Sequence, residues 1–119
     1  MASKIDLSES QVLSQVLQYL AYHPKVAKAW RVNTGASQYN YTTKQGIKKN
    51  YFVKYGEKGQ ADIQGYLKDG RALFVEVKRS EGGKVSPHQK NFIQNAKEVG
   101  CFACVVCSVD ELEREFKSI

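Results

Sequence analysis

The stretch ADIQGYLKDGRALFVEVKR, residues 61–79, constrains this chain more than any other. Two alternating apolar runs flank Lys68-Asp69-Gly70, which is tight-turn chemistry. They predict an antiparallel hairpin with strands at 61–67 and 71–78. In the second strand Leu73, Val75 and Val77 fall on one side of the pleat, and Phe74, Glu76 and Lys78 on the other. A carboxylate and an ammonium therefore share one face of a very apolar strand. Burying either without a partner is costly, so that face either meets water or is given partners.

Asp62, at the start of the first strand, is the nearest partner. A three-residue loop with Gly70 left-handed pairs Leu67 with Arg71 and sets Asp62 opposite Glu76, with both carboxylates on one side. A two-residue Asp69-Gly70 turn slips the register and sends them to opposite faces. The residues permit both. We take the three-residue loop, because two carboxylates converging near Lys78 make a site for a hard cation. The plain alternative is a structural ion pair between Glu76 and Lys78.

Two further polar residues sit on apolar faces. Ser8 and Gln11 predict a capping box that opens a helix with the stripe Val12, Leu13, Val16, Leu17 and Leu20, ended by Pro24. Glu9 falls near the middle of that stripe at about 100° per residue, so its carboxylate is expected along the core face; a favourable helix-dipole contact is the simpler reading. Ser86-Pro87 opens a second helix, running to Val99 and stopped by Gly100. Gln89 lies on its Phe92, Ile93 and Ala96 face, and it also stands where a capping-box residue stands. Both roles can hold at once.

The remaining elements are simpler. Residues 29–34 read as a first strand, 35–50 as a long loop or irregular hairpin, and 51–55 as a short optional strand. CFACVVC, residues 101–107, is a strand, and Ser108 with Glu111 is a capping box for a last helix to about Lys117. The order α-β-(β)-β-β-α-β-α makes one mixed α/β domain over residues 1–119. All three cysteines, Cys101, Cys104 and Cys107, lie in that last strand. An odd count argues against a disulfide framework, and a β-rich apolar segment with no fourth Cys argues against a cluster loop. No apolar run approaches the ~20 residues of a membrane span. The N-terminal residues MASKIDLSES hold no signal-peptide core. An intracellular location is expected.

The net charge of +6 favours an anionic partner, most simply nucleic acid. Lys44, Lys48, Lys49, Lys54 and Lys58 crowd into residues 44–58 beside a single acid, Glu57, and Tyr39, Tyr41, Tyr51 and Tyr55 are interleaved with them. Cations next to aromatic faces suit phosphates and unstacked bases; a solvated basic loop with tyrosines packed beneath is the other reading.

ADIQGYLKDGRALFVEVKRSEGGKVSPHQKNF resembles the VRR-NUC (virus-type replication-repair nuclease) branch of the PD-(D/E)xK nuclease superfamily. The family pattern maps onto Glu9, onto Gly59 with Asp62, onto Glu76 with Lys78, and onto Ser86 with Gln89; WRVNTGA, residues 30–36, also looks like the segment after the first helix. Ala61 stands where the family usually has proline. The resemblance implies a restriction-endonuclease-like core with a mixed central sheet flanked by helices. It also implies Mg²⁺- or Mn²⁺-dependent phosphodiester hydrolysis in the cytoplasm of a bacterial or phage-infected cell. Glu9, Asp62, Glu76 and the Val77 carbonyl would hold the metal. Lys78 would orient or help deprotonate a water, and Gln89 would hold that water or a phosphate. Arg31, Asn33, Lys84 and Ser86, with the five lysines, would contact the nucleic acid. A small stand-alone domain of this kind is expected to act as a homodimer on branched DNA, as a Holliday-junction resolvase does. Two alternatives stay open: the same core cutting flapped, nicked, single-stranded or restriction-type substrates, and a non-catalytic nucleic-acid-binding module.

Overall fold

The computed structural model describes residues 7–32, 35–55, 59–79 and 83–119. The elements are α1 (Glu9–Tyr22), β1 (Val26–Arg31), β2 (Gly35–Thr42), β3 (Lys48–Tyr55), β4 (Ile63–Leu67), β5 (Ala72–Val77), α2 (Pro87–Glu98), β6 (Phe102–Val106) and α3 (Val109–Lys117). They form a small mixed α/β domain. Its central four-stranded sheet has the order β1-β4-β5-β6, and β2 and β3 form a separate two-stranded sheet. β1, β4 and β5 run antiparallel in turn, and β6 lies parallel to β5 across the α2 crossover.

The β4–β5 register is that of the three-residue loop. Leu67 N–H donates to the Arg71 carbonyl at 2.8 Å, Gly70 N–H donates to the Leu67 carbonyl at 3.0 Å, and Gly70 has φ +95°. Ile63 pairs with Val75 and Gln64 with Phe74, so the next step of the ladder sets Asp62 opposite Glu76.

Alternation on β5 divides the interior in two. Leu73, Val75 and Val77 are fully buried in one cluster with Val12, Val16 and Leu20 of α1 and Leu112 and Phe116 of α3. Phe74, on the opposite face, packs with Phe92, Ile93 and Ala96 of α2 and with Ala61 and Ala103. The sheet is thus sandwiched, with α1 and α3 on one side and α2 on the other. Each helix starts where its cap dictates. Ser8 with Gln11 and Ser86 with Gln89 form complete capping boxes. Ser108 caps α3, but Glu111 does not close a box there; its Oε2 accepts from the Cys107 N–H at 2.7 Å instead.

Two strand boundaries are corrected. The first strand runs over Val26–Arg31 rather than 29–34, because His23 to Lys25 turn immediately after α1 and a bulge between Val26 and Lys28 starts the pairing early. Of the two readings of residues 35–50, loop or irregular hairpin, the hairpin holds, and the optional strand at 51–55 extends back to Lys48 in a regular eight-rung ladder, Gly35 opposite Tyr55 through Thr42 opposite Lys48. Cross-strand contacts support it: Tyr39 stacks on Tyr51 at 5.3 Å and Tyr41 meets Tyr51 edge-on at 5.9 Å. Cys104 is buried on β6, its thiol pushed up to about 12, mainly by burial. Among the described residues none of the three cysteines forms a disulfide. Among the described residues no helix is long and apolar enough to cross a membrane.

Gly59 fixes how the approach to β4 meets α2. It has φ +79°, and a Cβ there would lie 2.6 Å from the His88 backbone. Gly70 is also left-handed but faces open space. Gly70→Ala should therefore cost only the backbone penalty, about 1 kcal/mol. Gly59→Ala adds a clash with main chain that cannot swing away, so we expect a loss of at least about 2 kcal/mol. Urea unfolding midpoints of the two variants test this ordering.

Candidate active site

The site is built where β4, β5 and the first turn of α2 meet. Glu76 is 1% exposed and Lys78 9%, the only buried charged residues among those described. Both sit on the α2 face, opposite the large core. Lys78 is pinned by its own N–H, which donates to the Val106 carbonyl at 2.9 Å and continues the β5–β6 ladder.

The Glu76 carboxylate is held asymmetrically. Its Oε1 accepts from Gln89 Nε2 at 2.8 Å and lies 3.3 Å from Lys78 Nζ. Its Oε2 is buried with no donor at hydrogen-bonding distance, while Asp62 lies close enough to share a proton with the carboxyl. Asp62, directly across the strands, accepts the Val77 N–H on Oδ2 at 2.9 Å. The N–H and C=O of one strand residue point to the same neighbour, so the Val77 carbonyl also lies on the Asp62 side. Burial raises the Glu76 carboxyl to about 7, the facing Asp62 carboxylate adds to this, and Lys78 opposes it. A buried acceptor without a donor, next to a second carboxylate, is the arrangement a hard cation relieves. The donor set of Asp62, Glu76 and the Val77 carbonyl therefore fits Mg²⁺ or Mn²⁺.

Gln89 does two jobs with one amide. Its Oε1 accepts from the Ser86 N–H at 3.0 Å, closing the α2 capping box, and its Nε2 reaches Glu76. Its donor is thus turned on the carboxylate rather than on a water or phosphate. Ser86 is exposed, and its Oγ accepts from the Gln89 N–H at 3.2 Å, so its evident work is capping.

Glu9 does not join the group. It is solvent-exposed in the first turn of α1, and that helix packs on the Leu73, Val75 and Val77 face, opposite Glu76. Among the described residues no three His, Cys, Asp or Glu side chains gather closely enough to hold a metal ion. The pairing also moves Arg31 away: it stands opposite Ile63, whose side chain is in the α1–α3 core, so Arg31 belongs to the face turned from the carboxylates. Lys44, Lys48 and Lys49 are exposed on the β2–β3 hairpin and its tip, and Lys84 is exposed just before α2. Asn33 and Lys58 lie outside the described residues, as does the side chain of Lys54.

The residue that sequence reading passed over is Trp30. It pairs with Gln64, two residues along β4 from Asp62, and so shares the carboxylates' face. It already lay in the expected strand 29–34; the β1–β4 register, which alternation alone does not supply, is what places it on this face. Comparison of the chain with family models, with curated proteins and with solved structures found no match.

The raised Glu76 carboxyl links folding to pH. The folded metal-free protein holds this proton up to about pH 7, whereas the unfolded chain releases it near 4.5. Its contribution to stability is therefore complete below 4.5 and is lost as pH rises to about 7. In EDTA, Glu76→Gln should melt several degrees above wild type at pH 8, and this advantage should shrink towards pH 5. Thermal melts of both proteins across that range check it; parallel pH profiles would refute the linkage.

Proposed function

We propose that the chain is a metal-dependent endonuclease that hydrolyses DNA phosphodiester bonds, built on the restriction-endonuclease-like core that its resemblance to VRR-NUC domains implies. The observation that carries this reading is the buried Glu76 carboxylate, partnered on Oε1 by Gln89 and Lys78 and unpartnered on Oε2 beside Asp62. A purely structural ion pair would leave that oxygen and the facing carboxylate without a reason. The topology supports the fold reading: one helix, a three-stranded meander β1-β4-β5, a crossover helix and a parallel fourth strand, with β2–β3 inserted between the first two.

Asp62, Glu76 and the Val77 carbonyl would hold Mg²⁺ or Mn²⁺. The bound ion would supply Lewis-acid activation of a water and charge neutralisation at the scissile phosphate. Gln89 keeps the Glu76 carboxylate in one orientation by holding Oε1, which leaves Oε2 free of a donor. Lys78, anchored by its backbone and only 9% exposed, presents an ammonium beside the carboxylates. There it offsets phosphate charge and orients the attacking water. With the described lysines Lys44, Lys48 and Lys49 exposed, the hairpin offers the phosphate backbone a cationic arm. We further propose a homodimer acting on branched DNA, four-way junctions first.

Cleavage of four-way junction, flap, nicked and linear duplex substrates, each with Mg²⁺, Mn²⁺ or EDTA, tests the reading. We expect metal-dependent cutting that favours branched substrates. Glu76→Gln and Lys78→Ala should each lose on the order of 10²–10³-fold in rate; Glu76→Gln should bind DNA within about twofold of wild type, and Lys78→Ala should lose no more than the share of one phosphate contact. Full activity in both variants would refute the site. Binding without cutting under every metal condition would leave a non-catalytic nucleic-acid module. Lys48→Ala with Lys49→Ala should lower the slope of log affinity against log salt by about 2; an unchanged slope removes the hairpin from the contact.

A further inference from the structure

The α2 face of the sheet is only half covered. α2 packs mainly on β6 and β5, and among the described residues the half built by β1 and β4 keeps large side chains exposed. Lys28 pairs with Tyr66 and Trp30 with Gln64, so these four side chains lie on the same sheet face as Asp62 and Glu76. Trp30 is 41% exposed and Tyr66 46%. Their rings meet edge-on at 6.3 Å, and Lys28 Nζ lies 5.9 Å from the Trp30 ring centroid. The edge contact fixes the indole and leaves ring surface to solvent.

This patch is joined to the carboxylates by short, rigid backbone. Trp30 stands across one strand spacing from Gln64, which lies two residues from Asp62. The backbones of Trp30 and Asp62 are therefore about 8 Å apart. Val32 N–H donates to the Asp62 carbonyl at 2.7 Å, tying the end of β1 to the site itself.

We propose that Trp30, braced by Tyr66 and flanked by Lys28, is a stacking platform for an unpaired nucleobase of the strand being cut. This deepens the nuclease reading and rests on it. An exposed indole face takes a flat unsaturated partner, and a nearby ammonium suits the phosphate attached to it. A nucleotide adjoining a phosphate held at Asp62 and Glu76 would bring its base within reach of Trp30. Bases inside an intact duplex have their faces covered by their neighbours, so the platform selects strands with an unpaired nucleotide beside the cleavage point. Trp30 is a positioning residue for substrate; it does not touch the reacting atoms.

Trp30 is the chain's single tryptophan, so its emission reports on the platform directly. The experiment titrates Glu76→Gln protein in EDTA, where no cutting occurs, with a thymidine oligonucleotide and with a blunt duplex. We expect strong quenching by the single strand and little by the duplex. With a labelled single strand, Trp30→Ala should weaken binding about tenfold and Trp30→Phe within about threefold. In Trp30→Ala on the active background, KM should rise with kcat little changed. Three outcomes would overturn the proposal: no quenching by the single strand, unaltered affinity in Trp30→Ala, or sedimentation showing that Trp30→Ala dissociates a dimer, which would make the patch a self-association surface. The binding measurements need no catalysis. Failure of the nuclease reading would therefore appear as absent cleavage by wild type, and failure of the platform as absent quenching.

Discussion

Everything specific about this molecule hangs on one ladder of backbone hydrogen bonds between β4 and β5. A strand's side chains alternate with a period of two, so the register that sets Asp62 opposite Glu76 also sends Leu73, Val75 and Val77 to the other face. Slip it by one residue and Asp62 and Glu76 part to opposite faces, while Leu73, Val75 and Val77 turn towards α2. The site and the main core are therefore specified by the same turn, and Gly70 in its left-handed conformation is the local device that selects it. A conflict between burying apolar groups and assembling polar ones is avoided because the two demands fall on alternate residues.

The site is electrostatically unfinished. Lys78 and Gln89 both address one oxygen of Glu76, and Asp62 brings a second negative group to the other. A buried carboxylate in that position is held near neutrality by its surroundings rather than by full pairing. Such a group stands ready for either a proton or a cation, and the two compete. The hydrophobic neighbours Phe74, Phe92 and Ile93 contribute by keeping the dielectric low, which strengthens whichever charge occupies the gap.

Much of this was legible in the residues, and the parts that were not share a cause. Helix starts were readable because a cap is a local matter of one hydroxyl and one amide, as at Ser8–Gln11 and Ser86–Gln89. The β4–β5 turn was readable from Lys68-Asp69-Gly70 as a turn, but its two possible lengths were not; the convergence of Asp62 and Glu76 near Lys78 decided between them. Glu9 was misread because periodicity tells which side of a helix is apolar but not which face of a sheet the helix will cover. β1 was misplaced because its opening residues, Val26 to Lys28, pass through a bulge that breaks simple alternation. Trp30 and Arg31 already lay in the expected strand; which of them faces the carboxylates depends on the β1–β4 register, which alternation alone does not supply. The β2–β3 hairpin was only half legible because residues 35–50 are mostly polar, which left a loop and an irregular hairpin equally open; the regular ladder shows in the Tyr39, Tyr41 and Tyr51 contacts across it.

The double duty of Gln89 has a consequence for motion. One amide closes the first turn of α2 and holds the carboxylate of Glu76, so fraying of that turn and release of the carboxylate are a single event. Anything that draws Glu76 towards a new partner also loads or relieves the cap. Hydrogen exchange at the start of α2 is then a gauge of what the site is holding, readable from a helix end that itself never meets the chemistry.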